Sequence, residues 1–260
     1  MPARLELEGL TTHIRIHRGE LVAVDRLSLT VEEGETLGMV GESGCGKTIT
    51  ALSIMGLLPP GGHVAGGRIL YQGQDLANLP ERHMRRLRGQ EIAMVFQDPA
   101  QALNPTMAIG EQVAEGVTAH QRVSHREAMG LALDALGEAG AEDPRSVSRL
   151  YPHQLSGGLR QRTLIAMAIV GRPKLLLADE PTTAVDLVVA RQIMSTLQEL
   201  RERLALSVVL FSHDRQLVET WADRTLEMRA GRLVDPDRAR SSEDEDRQPA
   251  PLPPSAWGLR

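Results

Sequence analysis

Over the first thirty residues apolar and polar side chains alternate, at 5–10, 14–16 and 21–29. That period of two predicts short strands with one face buried. The turn His17-Arg18-Gly19-Glu20 joins the second to the third. The alternation then gives way to Glu35-Thr36-Leu37-Gly38-Met39-Val40, which reads as a short buried strand. Beyond a glycine-rich break, Ile49-Thr50-Ala51-Leu52-Ser53-Ile54-Met55 reads as an apolar helix. Pro59-Pro60-Gly61-Gly62 is a loop, 67–71 a strand, and Gln72-Gly73-Gln74 a turn. Residues 82–88 form a basic helical segment whose default role is a solvated face. Residues 92–96 form a buried strand that ends in Gln97.

From about 98 to 150 the pattern changes to helical periodicity, at 109–120 and 124–139, with no strand between. This stretch predicts a helical subdomain inserted into an α/β core. The alternation of strands and helices resumes with a helix at 158–170, a strand at 175–179 and a long helix at 188–204. A strand at 207–212, a short helix after Asp214 and a strand at 225–229 close the pattern. Past Asp235 the chain turns acidic and proline-rich, with too little apolar surface to offset its ordering entropy. One nucleotide-binding domain is therefore expected over 1–236, with its helical subdomain at about 98–170 and a disordered tail at 237–260.

Composition narrows the classes. Hydrophobic content of 42% and charged content of 24% suit a globular chain of 260 residues with a substantial core. A net charge of −5 argues against broad nucleic-acid binding, and two Phe, two Tyr and two Trp leave little for base-stacking platforms. A single cysteine excludes an internal disulfide, a cysteine zinc cage or an iron–sulfur cluster. No apolar run has the length to span a bilayer and no signal-peptide pattern opens the chain. A cytosolic chain is expected, reaching a membrane only through partners.

Three segments carry chemistry. Gly41-Glu42-Ser43-Gly44-Cys45-Gly46-Lys47-Thr48 is a phosphate loop, G-x-x-x-x-G-K-[ST], set between the predicted strand and the helix that opens at Ile49. Its glycines let backbone N–H groups wrap a polyphosphate, and the helix N-terminus adds positive potential. Lys47 has the reach for the β- and γ-phosphates, and the Thr48 hydroxyl suits Mg²⁺. The Cys45 thiol has no expected catalytic role. The second segment, Leu175-Leu176-Leu177-Ala178-Asp179-Glu180, is an apolar strand ending in two acids, which packing alone does not require. Asp179 suits a Mg²⁺ ligand opposite Thr48, and Glu180 a general base for the attacking water. In the third, Ser156-Gly157-Gly158 opens a helix and offers a second phosphate-binding terminus.

Leu155-Ser156-Gly157-Gly158-Leu159-Arg160-Gln161-Arg162 resembles the signature motif of the ATP-binding cassette (ABC) ATPases. The remaining motifs follow that family's order: Gln97 as its Q-loop, Glu180-Pro181-Thr182-Thr183-Ala184-Val185-Asp186 as Walker B and D-loop, Phe211-Ser212-His213-Asp214 as its switch histidine. The resemblance spans about residues 4–235. It implies an α/β P-loop NTPase fold of ABC ATPase type, a mixed-sheet core with an N-terminal antiparallel β-subdomain and an inserted α-helical subdomain. It also implies two ATP molecules, with Mg²⁺, in a head-to-tail dimer, where Ser156, Gly157, Gly158 and Gln161 meet the ATP of the opposite subunit. Gln97 and His213 would sense the γ-phosphate, Gln97 also touching Mg²⁺ and linking to the helical subdomain. Closure of the dimer on ATP would supply the working stroke, and hydrolysis would reopen it.

Val95-Phe96-Gln97-Asp98-Pro99, Leu103-Asn104-Pro105, Tyr151-Pro152-His153-Gln154 and Ala222-Asp223-Arg224 narrow the likeness to the oligopeptide, dipeptide and nickel importers. That likeness implies a peripheral subunit at the cytoplasmic face of the cell membrane. Its partners would be two permease subunits, a second ATPase subunit or a copy of itself, and indirectly an extracytoplasmic solute-binding protein. The segment after Gln97 and the inserted helices would dock the permeases. Two departures stand out. The early strand reads His13-Ile14-Arg15-Ile16-His17 where the family places an adenine-stacking aromatic, so Ile14 or a histidine would meet the base and GTP would be used more readily. The chain also lacks the extension with which many members continue, leaving the solute open between peptide and nickel or a metal chelate. The alternative reading is a soluble ABC ATPase of translation or DNA repair. Such proteins usually carry two cassettes or a coiled-coil insertion, and this sequence shows neither.

Overall fold

A computed structural model describes residues 3–17, 19–183 and 185–234. The expected disordered tail at 237–260 lies outside them. The chain divides into two compact units, one formed by residues up to Met84 and from Val209 onward, the other by Arg85–Val208. The first unit opens with β1 (Ala3–Ile16), β2 (Gly19–Glu32), β3 (Thr36–Val40), α1 (Lys47–Met55), β4 (Gly62–Tyr71) and β5 (Gln74–Asp75). The helix α2 (Glu81–Leu87) leads to the second unit, which holds β6 (Ile92–Val95), α3 (Pro99–Ala102), α4 (Ile109–Thr118), α5 (His125–Glu138), α6 (Pro144–Arg149), α7 (Gly157–Ile169), β7 (Leu175–Asp179) and α8 (Leu187–Leu204). The strand β8 (Ser207–Ser212) returns the chain, and α9 (Arg215–Trp221), β9 (Arg224–Arg229) and β10 (Arg232–Leu233) complete the first unit.

The N-terminal sheet is antiparallel with strand order β2-β1-β4-β5. The three short strands expected before residue 30 are in fact two strands of 14 residues each. The polar break at Thr11-Thr12-His13 does not end β1. It is an irregularity in the ladder, where the register to β2 shifts between Leu7 and Thr12 and Gly9 takes a φ of 60°. Such bulges bend a strand without ending it. The strand expected at 67–71 likewise begins earlier, at Gly62. A Cβ on Gly67 would lie 2.4 Å from the Gly9 carbonyl oxygen, so β4 crosses the bulge of β1 at a distance only glycine permits. The inner face of this sheet, with Leu5, Leu7, Leu10 and Ile69 fully buried, packs with α1, and the Thr12 and Ser53 hydroxyls hydrogen-bond across that contact at 2.9 Å.

Also in the first unit, β3 pairs in parallel with β9, β10 pairs antiparallel with β9, and β8 neighbours β3 on its other side, giving the mixed sheet. All five residues of β3 are buried, as its unbroken apolar run requires. Asp223 and Arg224, read above as family markers, hold this layer together. The Asp223 carboxylate accepts the Thr36 N–H at 2.8 Å, and the Arg224 guanidinium donates to Glu35 at 2.9 Å.

In the second unit β6 and β7 pair in parallel, and α4, α5, α6 and α7 pack on one another. Helix α5 buries Ala128, Ala132, Ala135 and Leu136, spacings of three and four that mark one helical face. Helices α3 and α6 have no counterpart among the predicted elements, because four and six residues are too few to show a period. Both nonetheless begin alike, with Asp98 or Asp143 capping a backbone N–H and proline at the first position. The buried Gln112 of α4 pins the Leu103-Asn104-Pro105 segment, accepting the Asn104 N–H at 2.8 Å and donating to the Asn104 and Met107 carbonyls.

Gly67→Ala tests the β1–β4 crossing. Its Cβ would meet backbone that cannot rotate away, at a φ of 81°. The expected cost is about 1–3 kcal/mol, read as a lower midpoint of urea unfolding with an unchanged slope. An unshifted midpoint would show that the two strands separate without penalty.

Candidate nucleotide-binding site

The first unit builds the phosphate loop. Gly41 follows β3 directly, and its N–H donates to the carbonyl of Ser212, the last residue of β8, at 3.3 Å. His213, next in sequence and exposed, therefore leaves its strand beside the start of the loop. A Cβ on Gly41 would sit 2.3 Å from the Met228 carbonyl oxygen, and one on Gly46 2.5 Å from that of Ala23. Neither position admits a side chain. Glu42, Ser43 and Gly44 are exposed, whereas Cys45, Gly46, Lys47 and Ile49 are buried and Thr48 is half-buried. The loop is held from the far side as well, because Gly231 in the β9–β10 turn donates to the Cys45 carbonyl at 2.8 Å.

Helix α1 starts at Lys47 with Gly46 as its cap, in left-handed conformation and with no side-chain cap bond, and no acid lies in its first turn. Its first N–H groups have no intrahelical acceptor. Lys47 is 5% exposed, and its ammonium donates to the Gly41 carbonyl at 2.6 Å and the Glu42 carbonyl at 3.1 Å, so its charge lies across the loop mouth. An uncapped helix end, a buried cation and a loop with no room for side chains fit a polyphosphate.

The second unit assembles the acids. β6 and β7 pair with Val95 opposite Ala178, so Gln97 and the pair Asp179 and Glu180 all emerge at the carboxyl end of the same two strands. Asp179 is 1% exposed and Glu180 5% exposed. An ionised carboxylate sustains such burial only with donors or a cation. Glu180 has a φ of 50°, a left-handed conformation that costs a non-glycine residue about 1–3 kcal/mol and tends to mark functional sites. Thr183 stabilises it there, its hydroxyl donating to Glu180 Oε2 at 2.8 Å. The Asp179 carboxylate and the Thr48 hydroxyl are hard oxygen donors of the kind Mg²⁺ prefers.

The signature helix α7 belongs to the second unit. Ser156 caps it, accepting the Leu159 N–H at 3.3 Å, while Ser156 and Gly157 remain exposed. Gly158 lies against α8, where a Cβ would meet Val189 at 2.8 Å. Gln161 is 1% exposed, and its amide nitrogen has no hydrogen-bond partner among the described residues. Asp186 caps α8 through the Val188 and Val189 N–H groups, both at 3.0 Å, and leaves Leu187 and Val188 exposed. Each unit thus gathers its own set, the loop with His213 in one, and Gln97, Asp179, Glu180 and the signature in the other. Thr183, Gln112 and Gly231 carry structure that sequence reading did not single out. Of the early strand, Ile14 is buried and Ile16 is exposed.

These features agree with the comparisons to known proteins. A model of the ABC transporter family matches residues 24–183. The chain belongs to the ABC transporter family, and its fold is that of a P-loop ATPase of the ABC type. It is 43% identical over 232 residues to the dipeptide transport ATP-binding protein DppD of Bacillus subtilis, covering 89% of this chain and 69% of that protein. Against the oligopeptide transport ATP-binding protein OppD of Salmonella typhimurium it is 43% identical over 236 residues, covering 91% and 70%. Among solved structures, a dimeric post-hydrolysis state of the ATP-binding cassette MJ0796 bound to ADP and Pi matches with a TM-score of 0.80 and 27% identity, over 89% of this chain and 97% of that one. Among the described residues no helix is long and apolar enough to cross a membrane.

Burial pushes the Cys45 thiol above its ordinary range, and the nearby Lys47 charge offsets only part of this. The nucleophilic thiolate is therefore scarce at neutral pH. In the folded chain a thiol reagent at pH 7 should label Cys45 at least about tenfold more slowly than in urea, accelerating as pH rises past 9. Equal rates folded and unfolded would contradict the buried placement.

Proposed function

We propose that this chain is the ATP-hydrolysing subunit of a membrane importer of peptides. The observation that carries the reading is the Gly41–Thr48 loop, with its buried Lys47 and uncapped helix, in a chain whose relatives are named as dipeptide and oligopeptide transport ATP-binding proteins. The subunit sits peripherally at the cytoplasmic face of the cell membrane, with two permease subunits, a second ATPase subunit or a copy of itself, and indirectly an extracytoplasmic solute-binding protein.

Residues Gly41 to Ile49, through N–H groups other than those of Gly41 and Cys45, and the Lys47 ammonium bind the phosphates of ATP. Thr48, Asp179 and Gln97 hold Mg²⁺. When bound, the ion neutralises charge on the transferred phosphoryl group. Glu180, fixed by the Thr183 hydroxyl, accepts a proton from the attacking water, and His213 donates a hydrogen bond to the γ-phosphate. Ser156, Gly157, Gly158 and Gln161 close over ATP held by the opposite ATPase subunit. The exposed termini of α7 and α8, with Leu187 and Val188, suit that contact. Each ATP site would then join the phosphate loop of one subunit to the signature of the other.

Glu180→Gln should keep ATP affinity within about threefold of wild type while steady-state hydrolysis falls at least about 100-fold. Filter binding and phosphate release read the two separately, and wild-type turnover would remove Glu180 from the role of base. Uptake of a radiolabelled dipeptide by cells deleted for the chain should return with the wild type but not with this variant. Uptake indifferent to both would contradict the transport role while leaving the ATPase assignment standing.

A further inference from the structure

Three adjacent strands of the N-terminal sheet bring together side chains that lie outside the phosphate loop, the paired acids and the signature. His13 on β1 stands directly opposite His63 on β4. On the other side of β1, His13 pairs with Val22 and Arg15 with Glu20. Residues two apart along a strand share a face, so Glu20 lies on the face of Val22 and His13. Register alone therefore sets His13, His63 and Glu20 on one side of the sheet. It is the outer side, since Thr12 and Ile14 flanking His13 are buried.

One imidazole nitrogen from each histidine and one Glu20 carboxylate oxygen lie within 4.8 Å of one another. His13 Nδ1 is 3.1 Å from Glu20 Oε2, and the two rings meet edge to face with centroids 5.8 Å apart. Ligands at about 2.0–2.1 Å from a tetrahedral ion stand about 3.4 Å from one another. The atoms of the cluster need to approach by little more than about 1 Å to reach that spacing.

We propose that His13, His63 and Glu20 form a binding site for a divalent transition-metal ion of the zinc class, with water completing its coordination. Two imidazoles and a carboxylate suit zinc, nickel or copper, whereas magnesium and calcium take oxygen ligands alone. Arg15, two residues along β1 from His13 and paired with Glu20, adds a like charge that opposes a bound cation. A bound ion would tie β2, β1 and β4 together across their outer face. The simpler arrangement with the same contacts is a surface His13–Glu20 ion pair beside Arg15, and the two differ in whether metal binds.

Zinc titration of the nucleotide-free full chain, followed by calorimetry, decides between them. One ion per chain is expected, with a rise in Tm that grows with zinc concentration and no competition from millimolar Mg²⁺. His13→Ala and His63→Ala should each weaken binding more than about 100-fold, beyond the 10–100-fold that loss of an outer partner costs. Glu20→Gln, which keeps the side-chain shape, should weaken it at least about tenfold and serves if a histidine variant fails to fold. Cobalt bound at the same place should show no thiolate charge-transfer band. Binding weaker than about 1 mM, binding undiminished in all three variants, or a thiolate band assigning the metal to Cys45 would each overturn the proposal.

Discussion

A loop that must offer N–H groups to a ligand has few of them left to hold itself in shape. That constraint governs the first unit. The Gly41–Thr48 loop takes its rigidity from backbone groups far away in sequence. The Gly41 N–H goes to Ser212, the Cys45 carbonyl receives the Gly231 N–H, and the Gly231 carbonyl in turn receives the Asp25 N–H at 2.8 Å. Arg232 reinforces the last of these by donating to the Asp25 carboxylate. Strands β2, β3, β8 and the β9–β10 turn thus converge on eight residues. The loop commits two of its own donors to this frame, Gly41 to Ser212 and Cys45 to the Glu42 carbonyl at 3.2 Å, and a shape fixed before binding spares its entropic cost.

The second unit shows the complementary use of burial. Asp179 and Glu180 end a strand whose other members are all apolar, and burial raises the free-energy cost of leaving their charge unmet. Glu180 additionally occupies a left-handed backbone conformation fixed by the Thr183 hydroxyl and the short turn that follows. Strain and buried charge together favour a partner that neutralises the site.

Legibility in the sequence followed length and period. β7 and β8 matched their apolar runs residue for residue, and α4, α5, α7 and α8 matched within two residues of their periodic stretches. Gly9, Gly66 and Gly67 misled, because glycine marks a loop more often than a close strand crossing. The short helices α3 and α6 had no period to read, although Asp-Pro announced both. The residues proposed for the chemistry stand at strand ends and helix starts, as their segments predict, because type and spacing are constrained there. Thr183, Gln112 and Gly231 were not, since their roles depend on which distant backbone group lies within hydrogen-bond reach. The outer-face trio of His13, Glu20 and His63 depends on register between strands, which no single segment encodes.

The early strand carries no Phe, Tyr or Trp, and Ile14 is buried within the sheet, so the phosphates should dominate nucleotide recognition. Equilibrium binding of ATP, GTP and adenosine to the wild-type chain tests this most directly. The loop account predicts that ATP binds at least about 100-fold more tightly than adenosine, with GTP within about tenfold of ATP. Adenosine binding as tightly as ATP would contradict it, since recognition would then rest on the base and not on the Gly41–Thr48 loop.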